Sequence, residues 1–320
     1  MNKSLRLLVT GGCGYVGTVL VEQLLSFGHH VTVVDTQWFG NKLAPNLNLV
    51  NHKCDVRDIE PGLLEGIDSI VHLANIANDP SVELNPTMSW EVNVLGTMQL
   101  IDMASRVGVP HFIYASSGSV YGIRSEDRVT EDLPLVPLSV YNKTKMVAER
   151  VLLSYSNQLQ VHCIRPATVC GVSPRMRLDV SVNMFTKQAF VNNKMTVFGG
   201  SQTRPNIHIE DLSNVYLHFL GHPEIESGCY NAGFENISIL DIANLVADRT
   251  GAEITVGESN DLRSYRQDSS KLLATGFSQK KSVAIAIDEM LAGWKNGSLV
   301  DSEDAYTVQH MKRLGLGDVA

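Results

Sequence analysis

Tyr141 and Lys145 stand four residues apart in Tyr141-Asn-Lys-Thr-Lys145, at the opening of a stretch with helical apolar spacing. That spacing puts both side chains on one helix face. An ammonium beside a phenol favours the phenolate, so Lys145 is expected to draw Tyr141 below its reference pKa of about 10 and make it a usable base. A second polar group, Ala115-Ser-Ser-Gly-Ser-Val-Tyr-Gly122, follows a short apolar run. There Ser117 could hydrogen-bond the hydroxyl or carbonyl on which Tyr141 works. Taken singly, the first group reads as a solvated helix turn and the second as a serine-rich turn. Taken together they read as a site, because each belongs to the same alternation of strands and helices.

The acceptor for such chemistry is suggested by the start of the chain. Leu5 to Val9 is an apolar run ending in Thr10, and Gly11, Gly14 and Gly17 follow at three-residue spacing. From Tyr15 onward, Val16, Leu20, Val21, Leu24 and Leu25 recur with helical period. A strand, a glycine turn and a helix in that order form a dinucleotide-binding geometry, with the helix N-terminus facing a pyrophosphate. His30 to Asp35 reads as a second strand ending in an acid that can accept hydrogen bonds from an adenosine ribose. Thr36 and Gln37 follow, with no Arg or Lys beside them for a 2′-phosphate, which favours NAD over NADP. A bound nicotinamide would supply the hydride acceptor.

These residues need a scaffold, and the rest of the chain describes one. Strand-like runs at Asn48–Cys54, Ser69–Ala74, His111–Ala115 and Val161–Ile164 alternate with helical stretches at about Met88–Val107 and Tyr141–Tyr155. The alternation predicts an α/β fold, a Rossmann-type doubly wound parallel sheet with ligands at the strands' carboxyl ends. Beyond Arg165-Pro166 the pattern loosens. One apolar helical stretch, Val182–Val191, is followed by a strand-like Asn206–Ile209, a helix Ser238–Thr250 and a last helix around Val283–Trp294. The expected organisation is a dinucleotide-binding domain, 1–170 with about 205–235. The remainder, about 171–204 with 236–320, forms a smaller mixed α/β substrate-binding lobe.

Composition narrows the class. With 320 residues there is chain enough for two lobes. A net charge of −8 argues against a nucleic-acid partner. No apolar run is long enough to span a membrane and no leader pattern is visible, so a cytoplasmic protein is expected. The 5 cysteines are scattered without metal-ligand or disulfide spacing, so no metal site is expected.

At this point the sequence resembles the extended short-chain dehydrogenase/reductases, in their nucleotide-sugar epimerase and dehydratase branch. The motifs are the glycine run, Asp55-x-x-Asp58, His72-Leu-Ala, Asn93-x-x-Gly-Thr97, Ser117-x-x-Val-Tyr-Gly122 and Tyr141-x-x-x-Lys145. Gln202-Thr-Arg204, His208-Ile-Glu-Asp211 and Arg263-Ser-Tyr265 extend the likeness over nearly the whole chain. The resemblance implies a catalytic Ser117, Tyr141 and Lys145 and the cofactor NAD. It implies cofactor contacts from Gly11, Gly14, Tyr15, Val16, Gly17, Asp35, Asp55, Val56, Leu73, Ala74, Asn93, Ser116, Tyr141, Lys145 and Arg165, with Asp58 near adenine. The substrate, a nucleotide-diphosphate sugar, would meet Ser117, Thr168, Asn183, Arg204 and Arg263. A homodimer through the helices around 88–107 and 141–155 is implied as well.

Departures from the family pattern bear on the reaction. Dehydratases of the branch carry Asp-Glu directly after the catalytic Ser or Thr, whereas Gly118 and Ser119 stand here, which removes the usual route of water loss. Thr168 and Cys170 replace the Asn and Tyr of many relatives. Ser173-Pro-Arg-Met-Arg-Leu-Asp179 looks like a subgroup that includes a GDP-heptose 4-dehydrogenase. Arg175 and Arg177 either reach the substrate's phosphates or sugar, or belong to an ordered loop with an ion pair to Asp179. The expected activity is C4 epimerisation. Net C4 oxidation or reduction is the alternative, and a non-catalytic dinucleotide sensor is a remote one.

Overall fold

The computed structural model describes residues 4–259 and 264–317. In chain order the first half comprises β1 (Arg6–Thr10), α1 (Tyr15–Ser26), β2 (His30–Asp35), β3 (Leu49–Lys53), β4 (Ser69–His72), α2 (Asp79–Val82), α3 (Pro86–Trp90), α4 (Thr97–Val107), β5 (His111–Ala115), α5 (Val140–Leu153) and β6 (Gln160–Pro166). The second half holds β7 (Thr168–Cys170), α6 (Ser181–Asn192), β8 (Lys194–Phe198), β9 (Thr203–His208), α7 (Ile209–Gly221), β10 (Gly228–Ala232), β11 (Glu235–Ser238), α8 (Ile239–Thr250), β12 (Glu253–Gly257), α9 (Ser270–Leu273), α10 (Val283–Asn296) and α11 (Thr307–Arg313).

Seven parallel strands form the central sheet in the order β10-β6-β5-β4-β1-β2-β3. The reason lies in β1. Side chains of a strand alternate between faces. Leu7 and Val9 meet Leu20, Val21 and Leu24 of α1 and Val215 and Phe219 of α7. Leu8 points the other way, into Leu100, Ile101 and Ala104 of α4 and Ala148 and Leu152 of α5. All three β1 residues are fully buried, each contributing about 1.5–3 kcal/mol. Strand order reverses at β1, between β2 and β4, which opens a crevice at the carboxyl edge.

The sequence predicts one helix over 88–107, but the structure divides it. Between α3 and α4 lies a π-helical turn, Glu91–Gly96. The wider turn lets Asn93 face the loop after β4. Its Oδ1 accepts from Ile76 N at 2.8 Å, and its Nδ2 donates to Ile76 O at 3.1 Å and Thr144 Oγ1 at 3.2 Å. A clamp between loop and α5 has displaced the regular ladder, as such turns often do near functional sites.

The second lobe has its own core of Val182, Phe185, Met195, Val197, Ile242, Val246, Ile287 and Met290, all buried. A three-stranded sheet, β11-β9-β7, and a parallel pair, β12-β8, carry it. The strands β8 and β12 and the helix α11 have no counterpart in the sequence reading. Each is short, and α11 follows a polar segment. α11 packs against α2, and His310 Nε2 meets Trp38 O at 2.8 Å, so the tail returns to the first domain at the crevice.

The β1–α1 crossing sets a strict local limit. A Cβ on Gly17 would lie 2.3 Å from Gly11 O. Gly17→Ala should therefore lower stability by about 1–3 kcal/mol, the usual cost of overpacking. Gly221→Ala, at the open end of α7 where nothing lies within 4 Å, should change it by under about 1 kcal/mol. Thermal unfolding of the two variants checks this, and equal behaviour would refute the close-approach reading.

Candidate functional site

A cleft of about 780 Å³ runs along the carboxyl edge between the two lobes. Its floor is the glycine turn. Gly11 takes φ +73°, and a Cβ there would lie 2.6 Å from Ala74 N. Gly14 caps α1 without a side chain, and a Cβ on it would meet only Gly11 O, at 3.2 Å. The open side of Gly14 therefore faces the cleft, and the free N–H groups of the first turn of α1 can approach a phosphate. Among the expected cofactor residues, Gly11, Gly14, Tyr15, Val16, Gly17, Asp35, Asp55, Val56, Leu73, Ala74, Ser116, Tyr141 and Lys145 all line this cleft. The donor set and the cradle fit a dinucleotide.

Asp35 closes β2. Its Oδ2 accepts from Cys13 N at 2.9 Å and its Oδ1 from Gln37 N at 2.7 Å. Burial raises its pKa, while these hydrogen bonds and the Arg175 charge oppose the rise. The turn is tight enough to put Gln37 at φ +57°. Asp55 caps a short helical turn and holds Arg57. Burial pushes the Asp55 carboxyl up, but the Arg57 hydrogen bonds and charge outweigh it and leave its pKa lowered. Val56 and Leu73 supply apolar walls beside it.

Tyr141, Lys145 and Glu149 recur at four-residue intervals on α5, so one helix face carries all three. Lys145 is buried and donates to Ala115 O at 2.6 Å, with its Nζ 6.0 Å from the centre of the Tyr141 ring. Ser117 and Asn75 face Tyr141 and pull its pKa down. Ser117 Oγ lies 2.7 Å from Ser119 Oγ, which donates to Asn142 Oδ1 at 2.6 Å. Behind them His72 bridges Thr10 and Thr97, and burial together with the Lys145 charge pushes it down to about 3, so it stays neutral.

One expectation is corrected here. Lys145 does not by itself make Tyr141 a phenolate. Burial pushes Tyr141 up to about 12, against the pull of Ser117, Arg177 and Asn75, with Asp79 adding to the rise. Burial also pushes Lys145 down to about 7, although Glu149 and Cys163 oppose it. The site is dry enough to disfavour both charges.

Three of the expected contact residues are engaged inside the protein. Arg165 does not line the cleft. It is committed to Glu149 by two bonds, 2.9 and 2.8 Å, and to Tyr121 OH at 2.7 Å, all buried. Asn93 is the loop clamp described above. Asn183 holds Gly171 N, Tyr15 OH and Arg177 O. Each acts through a neighbour, because its hydrogen-bonding capacity is spent inside the protein.

Toward the second lobe the cleft is lined by Ser117, Thr168, Arg177 and Arg204. Arg177 bonds Asp179 at 2.8 Å, and its charge reaches Tyr141. Arg175 lines the same cleft farther along, against Phe39 and Thr307. Arg263 lies outside the described residues. The sequence reading missed Glu149, although its place eight residues after Tyr141 was a usable signal. It also missed Asn75 and Asn142, and the C-terminal Thr307, Val308 and Met311 in the cleft wall. No local pattern marks these.

The sequence model of the NAD dependent epimerase/dehydratase family matches residues 7–233. The chain belongs to that family. NAD is its cofactor. It is 33% identical to UDP-glucuronic acid decarboxylase 1 of Danio rerio over 82% of this chain and 66% of that protein's length. It is 30% identical to UDP-glucose 4-epimerase 4 of Oryza sativa subsp. japonica, over 77% of each. Among solved structures, UDP-glucuronic acid 4-epimerase from Bacillus cereus in complex with UDP-glucuronic acid and NAD superposes with TM-score 0.81. It is 26% identical and covers 91% of this chain and 99% of that one. MoeE5 in complex with UDP-glucuronic acid and NAD gives 0.83, with 26% identity over 92% and 100%. No helix among the described residues is long and apolar enough to cross a membrane.

The dryness around Lys145 has a pH signature. Its folded pKa, about 7, lies below the ordinary 10.5. Between those values the unfolded chain binds more protons, so the stability passing through Lys145 rises with pH and its penalty is complete below about 7. The difference in unfolding midpoint between wild type and Lys145→Met should therefore move in favour of wild type from about pH 7 to about pH 9.5. A flat difference in calorimetry would show that this ammonium is not desolvated.

Proposed function

We propose that this enzyme acts on a nucleotide-diphosphate sugar and inverts it at C4, by oxidation to a keto-sugar and reduction on the opposite face. The observation that carries the reading is the composition of the reacting corner. It holds a half-buried tyrosine, a buried lysine and a serine, with no acid directly after Ser117: Gly118 follows it, and Ser119 is bound to Asn142. Such a corner can move one hydroxyl proton, and the acid pair that drives elimination in the dehydratases is missing after Ser117. The relatives named above are in keeping with a nucleotide-sugar substrate.

NAD, when bound, supplies the hydride acceptor and a cationic ring. In this reading Tyr141 takes the C4 hydroxyl proton, Ser117 holds the oxygen, and Lys145 stabilises the developing phenolate. The walls exclude water, so a proton removed at Tyr141 remains there for return. Arg204 would grip the diphosphate, and Thr168 leaves the sugar room to turn; Gly118 and Cys170, which the sequence suggested for the same task, are packed away from the cleft against Gln267 and in the second core.

Net oxidation is the second reading, and Arg177 favours it. Its guanidinium is held by Asp179, which in turn accepts from Thr307 N at 3.1 Å. A cation fixed beside Tyr141 would hinder a turning sugar. For assembly, we infer a homodimer across α4 and α5, because Trp90, Leu95 and Met98 are exposed on that side. We infer the cytoplasm as its location, in keeping with five free thiols.

Incubation with candidate UDP- and GDP-sugars in deuterated water, without added cofactor, decides the end point. Epimerisation gives the C4 epimer without solvent deuterium at C4. A stoichiometric keto-sugar with reduced cofactor absorbance and no epimer would leave the dehydrogenase. Tyr141→Phe should retain NAD and lose turnover by on the order of 10²–10⁴-fold. Near wild-type rates would remove Tyr141 as the base. Leu95→Glu should shift the protein from dimer to monomer in light scattering, and an unchanged mass would refute the interface.

A further inference from the structure

Arg175 is a buried cation whose surroundings do not account for it. It is 4% exposed, and among the described residues it has no ion-pair partner. One nitrogen, Nη2, reaches Thr307 Oγ1 at 3.3 Å. Its Nε is buried without a hydrogen-bond partner. The guanidinium lies 3.8 Å from the centre of the Phe39 ring and lines the cleft. The charges of Asp179, Asp304 and Asp35 reach it from beyond ion-pair distance, and a buried cation with no direct ionic partner is costly to keep.

Its position says which ligand. The loop that carries it is fastened to the first turn of α1. Tyr15 OH donates to Gly171 O at 2.8 Å, Ser173 Oγ donates to Tyr15 O at 2.7 Å, and Thr18 Oγ1 lies 2.9 Å from Ser173 Oγ. That turn is the phosphate-facing end of the helix. On its other side the Arg175 charge is felt at Asp35, the ribose acid at the end of β2. The guanidinium is thus held near both the helix N-terminus and the ribose site.

We propose that Arg175 binds the diphosphate of the dinucleotide cofactor, completing from the second lobe an anion site that the glycine turn only half encloses. A planar fork of N–H donors suits two phosphate oxygens, and the free Nε is one such donor. Phe39 holds the plane of the fork, and Thr307 fixes its outer edge. Burial and the Arg177 charge lower its pKa only to about 10, so it is charged at neutral pH. The family resemblance left Arg175 either on the substrate's phosphates or sugar or in an ordered loop, and this assignment places it on the cofactor. It is independent of which sugar is turned over.

Binding of adenosine, ADP and NAD, measured by calorimetry on protein freed of copurified dinucleotide, separates the phosphate role from packing. In Arg175→Met, ADP and NAD should bind on the order of 10- to 100-fold more weakly, the scale of one or two lost charge-assisted hydrogen bonds. Adenosine, which has no phosphate, should bind as it does to wild type. Arg175→Lys keeps a cation without the fork, and should lose about tenfold for ADP and NAD. It carries the same comparison if the methionine variant does not fold. Unchanged ADP and NAD affinity would overturn the assignment. So would an equal loss for adenosine, which would make Arg175 a packing residue of the adenosine wall.

Discussion

The buried pair between Glu149 and Arg165 holds the reacting corner together. Glu149 accepts both bonds of the Arg165 fork and, at 2.5 Å, the hydroxyl of Ser116. Its charge also favours the protonated form of Lys145. One carboxylate therefore ties the end of β6, the loop after β5 and α5 into a single rigid piece. Two charges this far from water are retained because each is hydrogen-bonded, and removing either would leave the other unanswered in the interior. The Ala115 carbonyl that receives Lys145, and the turn that presents Ser117, belong to the same loop.

On that piece the electrostatics follow from dryness more than from pairing. Burial raises Tyr141 and lowers Lys145, so Tyr141 rests neutral and Lys145 titrates near neutral pH. A cationic group that enters beside Tyr141 acts on it more strongly than it would in bulk water, because the low-dielectric walls screen it less. The corner is thus poised to respond to its ligands. Arg177 already contributes a weak pull of this kind from the second lobe.

How much of this was legible in the sequence depended on how far each residue reaches. The β1–glycine–α1 unit, Asp35 and the Tyr141–Lys145 pair are local patterns whose geometry is fixed by a strand, a turn or one helix face. All of them line the cleft as the sequence suggested. Arg165, Asn93 and Asn183 belong to family motifs, yet their side chains are spent on Glu149, Ile76 and Tyr15, partners remote in sequence or hidden by a π-helical turn. Arg175 shows the same limit from the other direction. Its neighbours Phe39 and Thr307 come from opposite ends of the chain, and no spacing rule connects them. The short strands β8 and β12 were missed because each is stable only against the other.

The place of β10 has a consequence for how the chain is made. β6 ends at Pro166, but the strand that covers its outer edge begins only at Gly228. Everything from β7 to α7 must leave the ribosome in between. During that interval the growing chain presents a parallel strand with unpaired backbone groups beside Cys163 and Ile164, an edge suited to pairing with a neighbouring nascent chain. Sheet closure waits on a contact that is distant in sequence and correspondingly slow to form. An edge that stays open over this much of synthesis is the part of the sheet most in need of shielding before Gly228 arrives.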